Sequence, residues 1–183
     1  MSTFETLETC EDVNLLNTPF DEEKFKQILH YVIHKVGHLE NVGKTVLFKI
    51  LYFTDFNYYE TFEKKLTGES YRKLPHGPAP CDFDQTIEEL KEEGKIKEFT
   101  TSFKGYNQQK YMCLSEPDIS RLNGTEISHI NKNISIYSKL NASQISEYSH
   151  KDIPYTATED LDIIDYELVF YRDSLFSVRE YND

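Results

Sequence analysis

Lys44-Thr-Val-Leu-Phe-Lys-Ile-Leu-Tyr-Phe-Thr-Asp-Phe-Asn-Tyr-Tyr-Glu-Thr-Phe62 is the stretch that decides the fold. At a helical 100° per residue, Val46, Ile50 and Phe53 fall on one side and Phe48, Tyr52, Phe56 and Tyr59 on the other. A helix that is apolar all round is a helix buried all round. The segment therefore predicts a central helix with other elements packed about it.

Upstream, Asp21 is a good N-cap, and Glu22 and Glu23 sit where the helix dipole favours acids. Phe25, Ile28, Leu29, Val32, Ile33 and Val36 then keep helical spacing up to Gly37. Residues 1–20 show no clean period and carry Glu5, Glu8, Glu11 and Asp12. They read as an acidic N-terminal arm, either mobile or docked through Phe4, Leu7, Leu15 and Leu16, ahead of one domain spanning residues 21–183.

Downstream, Pro75-His-Gly-Pro-Ala-Pro80 forbids a helix and predicts a rigid turn after a short extended piece at Ser70–Leu74. A helix over 82–93 buries Phe83, Ile87 and Leu90 and stops at Gly94. Ile96–Phe103 and Gln109–Leu114 then read as an antiparallel β-hairpin. Ile127, Ile130, Ile134 and Tyr137 mark another helix, and Asn141 with Gln144 forms a capping box for a short one ending near His150. Ile153–Pro154–Tyr155 reads as a turn. The last apolar run fits a helix through Ile164, Leu168, Tyr171 and Leu175, or equally a strand through Ile164, Tyr166, Leu168 and Phe170. The expected class is mainly α, within α+β: a compact helical domain around a buried helix, with a small hairpin in a winged-helix-like arrangement.

The net charge of −12 repels phosphate backbones and argues against general nucleic-acid or anionic-membrane binding. The charge is uneven: residues 41–104 hold 11 acids against 10 bases, while residues 1–40 hold 8 against 3. A DNA-reading winged helix needs basic or amide side chains on the helix that enters the groove. Here that helix carries Asp82, Asp84, Glu88, Glu89, Glu92 and Glu93 against Lys91 alone. The widely spaced Cys10, Cys81 and Cys113 do not suggest a disulfide framework. With no apolar run of membrane-spanning length, the expected compartment is the cytoplasm.

His30, His34 and His38 lie on the face opposite the apolar stripe of their helix, and the outer pair is about 12 Å apart along the axis, too far to share a metal. A solvated face is the expectation. His76 and Cys81 lack a third group to form a nucleophilic site. No P-loop, dinucleotide fingerprint or serine elbow occurs, so neither an enzyme, a cofactor nor a metal is expected.

Three segments in order resemble the Panacea domain, a family of SocA-like antitoxins from bacteria and phages. Lys49, Leu51, Tyr52 and Asp55 match its K-L-L-Y-x-A-D helix. Thr67, Gly68 and Tyr71 match its T-G-x-x-Y step, and Gly77, Pro78 and Pro80 its G-P-V-P turn. Ser149–His150 before a proline turn and Asp165–Arg172 are similar to the family's C-terminal half. Ala79 and Thr54 depart from the pattern, and residues 115–124 form a longer connection. The resemblance implies an antitoxin that neutralises a cognate toxin protein by direct binding. Second to this, it admits a proteolytic adaptor that hands a bound protein to an AAA+ protease; the hairpin wing, apart from the resemblance, leaves a winged-helix-like transcriptional regulator as a third reading. Tyr58, Tyr59 and Tyr71 are expected to be exposed and, with the acidic arm, to contact the partner; Asp55, like Lys49 on the same buried helix, either joins that surface or finds a pairing partner or the helix's exposed edge. Lys49, Tyr52, Gly68, Gly77, Pro78, Pro80 and His150 are expected to shape the structure.

Overall fold

In a computed structural model the described residues are 19–180; the expected acidic arm, apart from Pro19 and Phe20, lies outside them. Helix α1 (Glu22–Val36) starts on the Asp21 side chain, which accepts from the Lys24 amide at 3.0 Å. Helix α2 (Lys44–Phe62) follows, then strands β1 (Tyr71–Leu74) and β2 (Gly77–Pro80), helix α3 (Phe83–Glu92), and strands β3 (Ile96–Phe103) and β4 (Tyr106–Cys113). Helices α4 (Gly124–Tyr137), α5 (Ala142–Ser149) and α6 (Ile153–Thr156) and a 3-10 helix over Tyr166–Tyr171 complete the order.

Helix α2 is the hub, and α4, β2, α5 and the 3-10 helix all pack on it. Its side chains Val46, Ile50, Tyr52, Phe53 and Phe56 are fully buried, as an all-round apolar helix requires. Flat aromatic contacts set its neighbours: Phe53 stacks on Tyr137 of α4 at 4.4 Å between ring centres, and Phe56 on Tyr166 of the 3-10 helix at 4.2 Å. The β3–β4 hairpin pairs Ile96 with Cys113 through to Phe103 with Tyr106. Lys104 and Gly105, both at positive φ, make its two-residue turn. β4 lies against α1 and β3 against α3.

Three local expectations need correction. The proline run is a strand: β2 pairs antiparallel with β1, Arg72 opposite Ala79 and Lys73 opposite Pro78. A two-stranded ribbon demands donors from only one edge of each strand, so two prolines are tolerated. Ile153–Thr156 is a helical turn with Pro154 in its first turn, where no amide donor is needed. The last run is neither an α-helix nor a strand; Asp165 caps a 3-10 helix by accepting from the Glu167 amide at 2.9 Å. Cys113 carries a free thiol while Cys81 is disulfide-bonded, so the cysteines support no argument about compartment. Among the described residues no helix is long and apolar enough to cross a membrane.

Candidate functional site

The three segments singled out in the sequence meet inside the molecule and bond to one another. Asp55, on the inner face of α2, accepts from the Thr67 hydroxyl at 2.9 Å and the Tyr71 hydroxyl at 2.5 Å. Burial pushes its carboxyl up to about 6, against the pull of those two donors. This pairing ties the helix to the loop that leads into β1. Gly68, at φ +78°, lets that loop pass against the carbonyl of Pro19, where a Cβ would sit 2.9 Å away.

Lys49 lies on the same helix and is 1% exposed. Among the described residues no carboxylate comes within ion-pair distance of it, and burial alone pulls its ammonium down to about 8. Its side chain packs under the β1–β2 turn at Gly77, whose φ is +116°. A Cβ on Gly77 would stand 2.6 Å from the Lys49 Cε and 2.6 Å from the Ser149 Oγ. Gly77→Ala therefore combines backbone strain with two overlaps, and it is expected to cost about 2 kcal/mol or more, read as a lowered urea midpoint. Pro78 and Pro80 are buried beside this turn. His150 stacks on Tyr155 at 5.1 Å, its Nε2 buried and without a hydrogen-bond partner among the described residues.

A third knot joins the C-terminal segment to the hub. Arg172 grips Asp152 with a fork, Nε to Oδ1 at 2.9 Å and Nη2 to Oδ2 at 2.8 Å. Its Nη1 donates to Asn57 at 2.8 Å and Glu60 at 3.1 Å. Tyr52 adds its hydroxyl to Asp152 at 2.8 Å. Burial by itself would lower the guanidinium; Asp152 outweighs it and holds the group above its usual value. Glu60 also accepts from the Val178 amide at 3.2 Å and the Ser177 hydroxyl at 2.5 Å, so residues 172–178 are strapped across the end of α2.

Several site expectations change with this geometry. Tyr71 is fully buried and Tyr58 is 3% exposed, so neither is an exposed anchor. Asp55 is buried as well, with its carboxylate engaged inward. Tyr58 is drawn in by Phe62 on its own helix and His129 of α4, and the other two by their mutual bond. Tyr59 stays half-buried and gives its hydroxyl to Glu167. His30 is buried, not solvated, because β4 covers that face of α1 and sets Cys113 Sγ 3.3 Å from its Nε2. His38 is exposed and His34 half-exposed. The residues that sequence reading missed are Asn57, Glu60, Asp152 and Arg172; a polar residue on an otherwise apolar helix was the available signal for the first two.

The surface above this knot is a groove between α2 and α4, of about 470 Å³. Asn57 and Asn133, hydrogen-bonded to each other at 2.7 Å, form its floor, and Phe62, Ile136 and Val178 its apolar rim. His129 lies in the wall, donating from Nε2 to the Thr54 carbonyl at 2.8 Å, and Lys132 reaches it from α4. Such a floor and rim suit a few side chains of a protein segment.

Comparison with known proteins matches residues 47–154 to the family model described as antitoxin SocA-like, Panacea domain. No curated protein and no solved structure matches the chain.

Proposed function

Starting from the fact that this chain belongs to the SocA-like antitoxin family of the Panacea domain, we propose that it is a non-catalytic antitoxin that silences a cognate toxin protein by binding it directly. The observation that carries the reading is the family match across residues 47–154. The interior supports it: the residues of the shared segments bond to each other and build a scaffold, with the outer surface left to meet a partner. Lys49, Asp55 and Tyr71 are too buried to touch a substrate. The exposed face of α3 carries Asp84, Glu88 and Glu92, a poor match to a DNA groove.

Expression of the adjacent open reading frame alone, and together with this chain, tests the reading. The expected result is growth arrest in the first case, rescue in the second, and co-purification at equal stoichiometry. Steady toxin levels during rescue go with direct inhibition, whereas accelerated toxin turnover would replace it with delivery to a protease. Absence of both toxicity and binding would overturn the antitoxin reading.

A further inference from the structure

The groove between α2 and α4 differs in charge from the rest of an acidic protein. The chain carries −12 in total, yet among the described residues no carboxylate lines this groove. The acids that α2 and α4 do carry are all engaged inward. Asp55 is held by Thr67 and Tyr71, Glu60 by Arg172, and Glu126 by Lys24. Glu63, at the C-cap of α2, is paired with Arg179. Lys132 is exposed on α4 and has no ion-pair partner among the described residues. Burial lowers the imidazole of His129, so this ring faces the groove uncharged at neutral pH.

Among the described residues the result is a single uncompensated cation beside three apolar side chains that stand in water. Phe62 is 39%, Ile136 48% and Val178 39% exposed. Apolar side chains gathered at one concavity, over a floor of paired amides, are the anatomy of a small hot spot. An isolated cation at its edge selects for a carboxylate and against a base.

We infer that this groove is the toxin-docking surface, and that it takes a segment of the toxin presenting an apolar side chain flanked by a carboxylate. The apolar side chain seats between Phe62, Ile136 and Val178, and the carboxylate pairs with Lys132. The strap from Arg172 to Glu60 holds Val178 in place, so the groove is preformed in the free protein.

The inference rests on the antitoxin reading, and the test separates the two. Affinity for the purified product of the adjacent open reading frame is measured by calorimetry for the intact chain and four variants. Ile136→Asp and Lys132→Glu are each expected to weaken binding by about 10-fold or more, the range of interface hot spots. Lys132→Arg is expected to stay within about 3-fold, since the charge is kept at a rim position where geometry matters less. Met112→Asp, on the exposed face of β4, is expected to bind as the unaltered chain does. Both Ile136 and Lys132 are exposed, so unchanged thermal midpoints are expected and verify folding. Unaltered binding by Ile136→Asp and Lys132→Glu would overturn the groove while leaving the antitoxin reading intact. An equal loss in Met112→Asp would also overturn it. If the intact chain itself fails to bind, the antitoxin reading falls and this inference falls with it.

Discussion

Arg172→Ala is expected to destabilise the domain by about 3–5 kcal/mol, the usual penalty for removing one member of a buried ion cluster. The size follows from what remains. Asp152 and Glu60 have no exposed side-chain surface, and each would keep its charge or take up a proton in an apolar interior. Asn57 would lose an acceptor's partner in the same step, although its amide still bonds Asn133 and Tyr137. The strap over residues 173–178 depends on Glu60, so the same variant is expected to speed proteolysis near Ser177. Arg172→Lys tests geometry apart from charge. One ammonium cannot reproduce a fork to Asp152 together with bonds to Asn57 and Glu60, so an intermediate loss is expected. Urea unfolding of the three proteins at pH 7 is the measurement; a loss under about 1 kcal/mol for Arg172→Ala would show the cluster to be relaxed by water.

This knot also marks where sequence reading stops. Helix α2 was readable because a helical period is local, and its apolar belt could mean only burial. The capping box at Asn141 and Gln144 was readable to the atom: Gln144 donates its amide to Asn141 Oδ1 and returns its side chain to the Asn141 amide, both at 2.9 Å. The hairpin was visible as a glycine between two β-rich runs, but its turn is tighter than the Lys104–Asn107 connection the sequence suggests: the second strand already starts at Tyr106. By contrast, Arg172 meets Glu60 across 112 residues and Asn57 across 115. No period or spacing encodes such a meeting, and the C-terminal run is a 3-10 helix because Arg172 and Asp165 fix its ends.

The candidate site shows the same division. The shared segments could be recognised in the linear chain, and most of their residues were expected to shape the structure; the two expected at the surface changed meaning once folded. Asp55 and Tyr71 are 16 residues apart and looked like surface contacts, yet they bond each other in the interior. Recognition by sequence marked the scaffold of the family. The groove could not be read, because its rim draws Phe62, Ile136 and Val178 from three distant places. Each alone is an unremarkable apolar residue, and only their adjacency makes a surface.

Lys49→Met is expected to stabilise the domain at pH 7 and to flatten part of its pH dependence. In the unfolded chain this lysine holds its proton up to its ordinary 10.5; in the folded protein burial lowers that to about 8. Below pH 8 both states are protonated, and the folded state bears the whole cost of an unpaired buried charge. Between 8 and 10.5 the unfolded chain alone keeps the proton, so stability rises with pH through that window. A displacement of this size corresponds to about 3 kcal/mol. Methionine fills a similar space without a charge and adapts to an irregular pocket, so most of that penalty should disappear at pH 7. The buried tyrosines Tyr52, Tyr71 and Tyr166 also resist ionisation and begin to contribute near pH 10. They act equally in both proteins, so the difference between variant and parent isolates Lys49. Urea unfolding at pH 7, 8, 9 and 10 is expected to show an advantage for Lys49→Met that is nearly level up to about pH 8 and shrinks as the pH rises beyond it. Parallel curves would mean that water already reaches the ammonium and that its charge is not strained. A converging pair would establish that the turn at Gly77 is packed over a charge the scaffold holds at a cost, and that this cost lies outside the groove where the partner is expected to bind.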